Sequence, residues 1–413
     1  MLESPSEKTV EQLRHTLSYS YQNFLIYKNR FSKSGIGQRE LNRENPLDIL
    51  SKLMPLETQE YEILADEAIL NIENIVDIET SSGTTNKPKR RFISMEDELL
   101  EQKLLSKMFK ICGINSHDRV ACLDIDPLNI MASFVQVIQK TLITADAYCY
   151  SPTHQAQRSF LDLRNLDPTV IISVPTIIER WLPEFLTAFK DSAKNQLAKI
   201  IYVGENMPTQ TRTILEKKLG VEVFGYYGAT EASSMGIECG HHTGIHLFTD
   251  HNFFELVTRT GTNQTEVLIT SLRLKAMPLL RYRIRDVIQV NTNSCECGLN
   301  YPAVKVSRSS EETMNILGVS INYQSIYRSV YTRESQPMQI ILTKNSRDSV
   351  MIILPVKLRE NRSYIISRIF GENPDLEFLV SSGHLDLDIS FDDRVAKIRK
   401  KQTLVDLRKS DAA

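Results

Sequence analysis

The sequence predicts an α/β protein: a large N-terminal α/β domain, residues 1–307, followed by a smaller α+β C-terminal domain, residues 308–413. Three observations predict it. Short Val- and Ile-rich runs alternate with helix-patterned segments from Ile75 to Phe224, as expected when helices cover a mainly parallel sheet. The 413-residue length exceeds a typical single core, so at least two domains are expected. Beyond Arg308 the pattern changes to strands near Gln339–Leu342 and Val350–Leu354, a helix near Tyr364–Phe370 and a strand near Leu385–Ile389.

In order, residues 1–70 read as helices and loops, with apolar residues at helical spacing from Val10 to Tyr27. Ile75–Thr80 alternates as a strand. Ser94 stands three residues before Asp97, a capping-box start to a helix carrying Leu100, Leu104, Met108 and Ile111, which Gly113 ends. Strands follow at Arg119–Ile125, Ala145–Tyr150, Thr169–Val174 and Lys199–Val203, separated by helices near Ile130–Leu142, Ala156–Leu163 and Trp181–Phe189. Pro208 suits the first turn of another helix and Gly220 its end, before a short strand Val221–Phe224. Glu266–Leu272 and Met277–Asp286 read as further strands.

Composition narrows the function classes. Hydrophobic residues make up 41% and charged residues 24%, values of an ordinary packed protein. A net charge of -2 argues against bulk electrostatic binding of nucleic acid. No apolar run approaches the roughly 20 residues of a membrane span. The start Met-Leu-Glu-Ser-Pro-Ser-Glu-Lys lacks a secretory pattern, so a cytoplasmic location is expected. Cys112, Cys122 and Cys149 sit in apolar settings and are expected to be buried. Where the chain self-associates, a homodimer is the commonest assembly.

Two loops carry chemistry. Thr80–Lys89 reads Thr-Ser-Ser-Gly-Thr-Thr-Asn-Lys-Pro-Lys. Its hydroxyls, glycine and ammonium groups suit phosphate binding, although it lacks the second glycine and the hydroxyl after lysine of the common phosphate loop. Gly225-Tyr-Tyr-Gly-Ala-Thr-Glu231 is a second small-residue loop. There Thr230 can donate to a phosphate oxygen, Glu231 can hold Mg²⁺, and Tyr227 offers a stacking face for a base. Asp286 can accept two hydrogen bonds from a ribose.

In register, Ser-Ser-Gly-Thr-Thr-x-Lys-Pro-Lys, Tyr-Gly-Ala-Thr-Glu and Pro-Leu-Leu-Arg-Tyr-Arg-x-x-Asp resemble the signature motifs of the adenylate-forming enzymes. Within that superfamily the chain is most similar to phenylacetate-CoA ligases, through its short N-terminus, Gly-Ile-His-Leu-Phe-Thr-Asp-His from Gly244, and Cys295-Glu-Cys-Gly. The resemblance implies ATP-dependent activation of a carboxylic acid, aromatic or small, as an acyl-adenylate, then transfer to CoA. It places Ser81, Ser82, Gly83, Thr84, Thr85 and Lys89 at the pyrophosphate end of ATP. Gly204 and Glu205 would line the adenine site with Tyr227 packed beside adenine, Tyr226 and Gly228 would belong to the ATP site, and Thr230 would touch the α-phosphate. Glu231 would bind Mg²⁺, and Asp286 and Arg308 would hold the ribose. A C-terminal lysine before a Val-x-Asp-like strand is expected over the reacting carboxylate. In Lys400-Lys-Gln-Thr-Leu-Val-Asp406 the spacing favours Lys400, with Lys401 and Lys397 as alternatives. The smaller domain would be a mobile lid that excludes water. Departures are Asn86 for a glycine, Ile284-Arg285 for Thr-Gly before Asp286, and an altered hinge after Ser307. These keep open transfer to an amine or carrier-protein thiol, and a catalytically degenerate binding subunit.

Cys239, His246, Cys295 and Cys297 form a C-x6-H and a C-x-C pair about fifty residues apart, matching the Cys3His set of structural zinc. His241 and His242 are alternative ligands. Similar zinc sites occur in some proteins of the family it resembles.

Overall fold

The computed structural model describes residues 5–71, 73–80, 89–123, 130–141, 146–152, 156–190, 196–204, 206–258, 265–290, 295–308, 313–316, 319–331, 337–344, 348–397 and 404–407. Five helices lead the chain: α1 (Glu7–Asn23), α2 (Leu25–Lys33), α3 (Gln38–Arg43), α4 (Pro46–Lys52) and α5 (Thr58–Asn71). Strands β1 (Ile75–Thr80) and β2 (Arg90–Ser94) pair antiparallel on their own, flanking the first chemistry-bearing loop. Helix α6 (Met95–Ile111) starts at the expected capping box, with Ser94 Oγ accepting from Asp97 N at 3.2 Å and Asp97 Oδ2 accepting from Ser94 N at 3.4 Å. Asp97 also accepts the Lys275 and Ala276 amides at 2.7 and 2.9 Å, anchoring this helix to a distant loop.

The predicted alternation follows as β3 (Val120–Leu123), α7 (Ile130–Lys140), β4 (Ala147–Tyr150), α8 (Ala156–Asn165), β5 (Val170–Ser173), α9 (Pro175–Arg180), α10 (Leu182–Phe189), β6 (Lys199–Tyr202), α11 (Thr209–Leu219) and β7 (Glu222–Ala229). Gly220 ends α11 at φ 69°, a left-handed turn that costs glycine no Cβ clash. Alternate residues of these strands face opposite layers. Val120, Cys122, Val170, Ile172 and Phe224 pack with Phe109 and Phe134 on one side. Ala121, Ile171, Ile200 and Val223 pack with Phe160 and Phe185 on the other. Cys149 departs from expectation: it is exposed, because β4 is an edge strand.

The chain then adds β8 (Ser233–Glu238), β9 (Ile245–Leu247), β10 (Asn252–Thr258), β11 (Thr265–Ser271), β12 (Tyr282–Val290) and β13 (Ala303–Arg308). All join one 11-stranded sheet in the order β10-β11-β12-β13-β9-β8-β7-β6-β5-β3-β4. Only β3 to β7 pair in parallel. The expectation of a mainly parallel sheet is therefore corrected: residues 230–232 between β7 and β8 are too few for a crossover, so the sheet continues antiparallel. Two boundaries also shift. Gly225–Ala229, read as loop, extends β7, while Met277–Arg281, read as strand, precedes β12 with Arg281 at φ 55°. Leu13, Leu17, Tyr27 and Phe31 of the N-terminal helices cover the antiparallel half through Val267, Ile269 and Tyr282.

A second sheet follows a short hairpin, β14 (Thr313–Ile316) with β15 (Val319–Asn322). After α12 (Tyr323–Val330) come β16 (Gln339–Lys344), β17 (Asp348–Leu354), α13 (Arg362–Glu372), α14 (Pro374–Ser381), β18 (Leu385–Phe391) and β19 (Leu404–Asp406). Their order is β18-β17-β16-β19, and the helices share a separate core with them around Ile340, Ile352, Ile369 and Leu376. No helix among the described residues is long and apolar enough to cross a membrane.

Candidate active site

The site forms where the parallel half of the sheet meets the antiparallel half, at the end of β7. Tyr226 and Tyr227 are neighbours on that strand, so their side chains leave opposite faces. Tyr227 Oη donates to Asp286 Oδ2 at 2.7 Å, joining β7 to β12. Asp286 is 9% exposed and lies opposite Arg308 in the β12–β13 register. Tyr226 turns the other way: its Oη meets Ser234 Oγ at 2.7 Å and its ring packs on Phe134, centroids 5.7 Å apart. Glycine is needed at 228, where a Cβ would stand 2.7 Å from Tyr226 Oη.

Thr230 and Glu231 follow in the turn after β7. Glu231 is 7% exposed, and its Oε1 pairs with Lys89 Nζ and accepts from Tyr282 Oη at 2.7 Å. Lys89 Nζ also donates to Tyr282 Oη at 2.9 Å, closing a triangle of three side chains from three segments. Burial opposes the charge on Glu231. The Lys89 charge and the hydrogen bonds from Lys89 and Tyr282 outweigh it, holding the carboxyl below its ordinary value. Tyr282 rests on Tyr61 with ring centroids 5.3 Å apart.

Gly204 follows β6 at φ 76°, a bend that lets the chain leave the sheet edge beside β7. Ser81, Ser82, Gly83, Thr84, Thr85, Glu205, Lys400 and Lys401 lie outside the described residues, as do the side chains of Arg285, Arg308 and Lys397. The strand expected after Lys400 is present: β19 pairs parallel with β16 through Leu404, Val405 and Asp406.

The sequence matches the AMP-binding enzyme family over residues 7–258, more than half of the chain. The chain belongs to that family. It is 22% identical over 328 residues to a phenylacetate-coenzyme A ligase of Escherichia coli (strain K12), covering 75% of this chain and 72% of that one. A phenylacetate-coenzyme A ligase of Pseudomonas putida is 23% identical over 328 residues, covering 76% and 72%. The fold overlaps a 2-hydroxyisobutyryl-CoA ligase, solved in the postadenylation state with R3-HIB-AMP, at a TM-score of 0.75 over 97% of this chain and 89% of that one, with 13% identity.

This AMP-binding enzyme also carries the cysteine–histidine cluster. The ligand atoms of Cys239, His246, Cys295 and Cys297 all lie within 4.8 Å of one another. Cys239 Sγ is 3.6 Å from Cys295 Sγ, and Cys297 Sγ is 3.4 Å from His246 Nε2. Tetrahedral zinc with Zn–S of about 2.3 Å and Zn–N of about 2.0 Å would separate such ligands by about 3.8 and 3.5 Å, so the set fits. His246 Nδ1 donates to the Tyr301 carbonyl at 2.9 Å, which leaves Nε2 to face the sulfurs. His242 is drawn elsewhere, its Nδ1 2.9 Å from Arg212 Nη2.

Sequence reasoning missed Tyr282, although it lies inside the Pro-Leu-Leu-Arg-Tyr-Arg motif. It also missed Glu101, whose carboxylate accepts hydrogen bonds from the Ser233 and Ser234 hydroxyls. The inward face of Glu101 was legible, since it shares the i+3, i+4, i+7 face of buried Leu104, Leu105 and Met108, but its partners on β8 were not.

Proposed function

We propose that this chain is an ATP-dependent acid:CoA ligase that joins a carboxylic acid, aromatic or small, to CoA through an acyl-adenylate. The observation that carries the reading is the Lys89–Glu231–Tyr282 triangle beside Thr230 and the Tyr227–Asp286 pair, on a chain of the AMP-binding family. The phenylacetate-CoA ligases among its relatives support CoA as the acceptor.

The substrate carboxylate attacks the α-phosphorus, forming an O–P bond as the bridge to the β-phosphate breaks and pyrophosphate leaves. The CoA sulfur then attacks the acyl carbon, AMP departs with the bonding pair, and the thiol proton passes to solvent. Both reactants of the first step are anions, so donors and cations must meet charge spreading over the phosphoryl oxygens. Lys89 and the Thr230 hydroxyl are assigned that work, with Ser81, Ser82, Gly83, Thr84 and Thr85 at the pyrophosphate end. Asp286 and Arg308 are assigned the ribose, and Gly204, Glu205 and Tyr227 the adenine; Tyr226, expected at the ATP site, leaves the opposite face of β7 from Tyr227 and is not assigned to the nucleotide. Glu231, a buried and readily ionised carboxylate, suits an oxygen-seeking Mg²⁺, which would supply further neutralisation of the phosphates. In the described arrangement Lys89 occupies that carboxylate and keeps a buried charge paired.

We further assign residues 308–413 as a lid whose Lys400 reaches the reacting carboxylate, and Cys239, His246, Cys295 and Cys297 as a closed structural zinc site. Carboxylate-dependent exchange of labelled pyrophosphate into ATP tests the first half-reaction, and AMP release on adding CoA tests the second. Glu231→Ala and Lys400→Ala should each lower exchange at least about 100-fold. Full exchange in Glu231→Ala would refute the catalytic assignment, and exchange without CoA-dependent AMP release would move the acceptor to an amine or a carrier thiol.

A further inference from the structure

On the Tyr226 face of β7 lies a polar group that the nucleotide reading does not use. Glu101, from α6, accepts one hydroxyl on each carboxylate oxygen, Ser233 on Oε2 and Ser234 on Oε1. Ser234 is in turn bonded to Tyr226 Oη, and Phe134 closes the apolar side against the Tyr226 ring. Ser233 holds φ 66°, a conformation uncommon outside glycine and asparagine.

Two features separate this group from a sealed structural cluster. Glu101 and Tyr226 keep partial solvent access although Arg91, Ser233 and Ser234 are 3, 9 and 0% exposed. Polar capacity is also left over. Among the described residues Glu101 forms no ion pair, because Arg91 gives its Nη1 to Glu79 at 3.2 Å, and Arg91 Nη2 is buried without a hydrogen-bond partner. Burial, offset in part by Arg91 and the Ser234 bond, raises the Glu101 carboxyl to about 7. A carboxylate has about four acceptor positions, and two hydroxyls leave room for another donor.

Position ties the group to the reaction centre. Ser233 and Ser234 follow Glu231 by two and three residues, which spans at most about 7 and about 11 Å of chain. That is the length of a small or aryl acid whose carboxylate lies at Thr230 and Glu231. Resting on the ligase reading above, we propose that Glu101, Ser233, Ser234 and Tyr226 form the far end of the acyl chamber and select acids bearing a hydroxyl or uncharged amino group remote from the carboxylate. Such a group donates to Glu101, and a hydroxyl can also accept from a nearby guanidinium. A fixed ammonium would instead face the charge of Arg91. An unsubstituted acyl group leaves the buried polar atoms unpaired, the situation that binding sites reject most strongly.

The test is pyrophosphate exchange with phenylacetate and benzoate against their 3-hydroxy and 3-amino derivatives, and with butanoate against 4-hydroxybutanoate. For wild type, the substituted acid of at least one pair should have a kcat/KM roughly 100-fold higher. Glu101→Gln should cut that ratio about tenfold or more, mainly through KM for the acid, with KM for ATP unchanged. The ratio of two acids within one preparation does not depend on how much of the variant folds. Ser234→Ala, a milder change, should move the ratio the same way. Equal use of both members of every pair, or an unchanged ratio in Glu101→Gln, overturns the selectivity while leaving adenylation intact. No exchange with any acid removes the adenylation reading itself, and the substrate class with it.

Discussion

Replacing Tyr282 by Phe isolates the hydroxyl that ties the centre of the site together. The phenol is 1% exposed, accepts from Lys89 Nζ at 2.9 Å and donates to Glu231 Oε1 at 2.7 Å. Phenylalanine keeps the ring and its contact with Tyr61, so no large cavity opens. What is lost is two hydrogen bonds to charged groups, each contributing about 1.5–3 kcal/mol. Because Lys89 and Glu231 still hold each other, neither charge is orphaned, and the expected loss is about 3 kcal/mol, the low end of that sum. The single tryptophan, Trp181, lies between α9 and α10 and reports unfolding of the N-terminal sheet region by fluorescence. Urea titration should show a lower midpoint with an unchanged m-value. A double-mutant cycle with Glu231→Gln should give a coupling of at least about 1 kcal/mol. A loss below about 0.5 kcal/mol, or additivity within that margin, would refute the triangle as a cooperative unit.

Three further outcomes follow from the geometry. Purified protein should contain one zinc per chain by elemental analysis, and Cys297→Ser should lose the metal and unfold at lower urea; metal-free wild type of undiminished stability would exclude the site. Gly228→Ala places a Cβ 2.7 Å from Tyr226 Oη and should cost about 1–3 kcal/mol in the same titration, whereas an unchanged midpoint would mean the ring moves freely. Glu101 carries the pH prediction. A folded value of about 7 against an ordinary 4.5 means that folding opposes its ionisation, so this residue lowers stability progressively as pH rises from about 4.5 to about 7, by up to about 3 kcal/mol. Glu101→Gln should thus gain stability relative to wild type at pH 8 but not at pH 4, and a pH-independent difference would contradict the burial of that charge.

Local rules made much of the fold legible. The capping box at Ser94 and Asp97, the left-handed Gly220, and the Val- and Ile-rich runs that became β3, β5 and β6 each follow from short-range sterics and patterning. The antiparallel half was harder to see, because a strand run does not announce its partner; only the short link at residues 230–232 implies a hairpin. β2 was missed since Arg90-Arg91-Phe92-Ile93-Ser94 has no period-two alternation, and Arg91 is buried against the trend for its type. Within the site, Glu231 and Asp286 stood out as acids in small-residue and motif contexts. Tyr282 and Glu101 did not, because their roles depend on partners from remote segments: Lys89 for one and β8 for the other.

The adjacency of Tyr226 and Tyr227 links fold to chemistry. Tyr226 aims at Ser234 and Phe134 and the next residue, Tyr227, at Asp286, so a single strand, by its pleat alone, serves two polar clusters on opposite faces. Under the proposed reading these are the acyl side and the ribose side, and the turn at Thr230 and Glu231, which follows β7, is where the α-phosphate and carboxylate must meet. Changes on the Tyr226 face can then alter the acid without disturbing nucleotide binding. That separation has a measurable form: Tyr227→Phe should raise KM for ATP and leave the ranking of acids intact, while Tyr226→Phe should reorder the acids and leave KM for ATP intact. If both variants changed both quantities alike, the pleat would not be dividing the site.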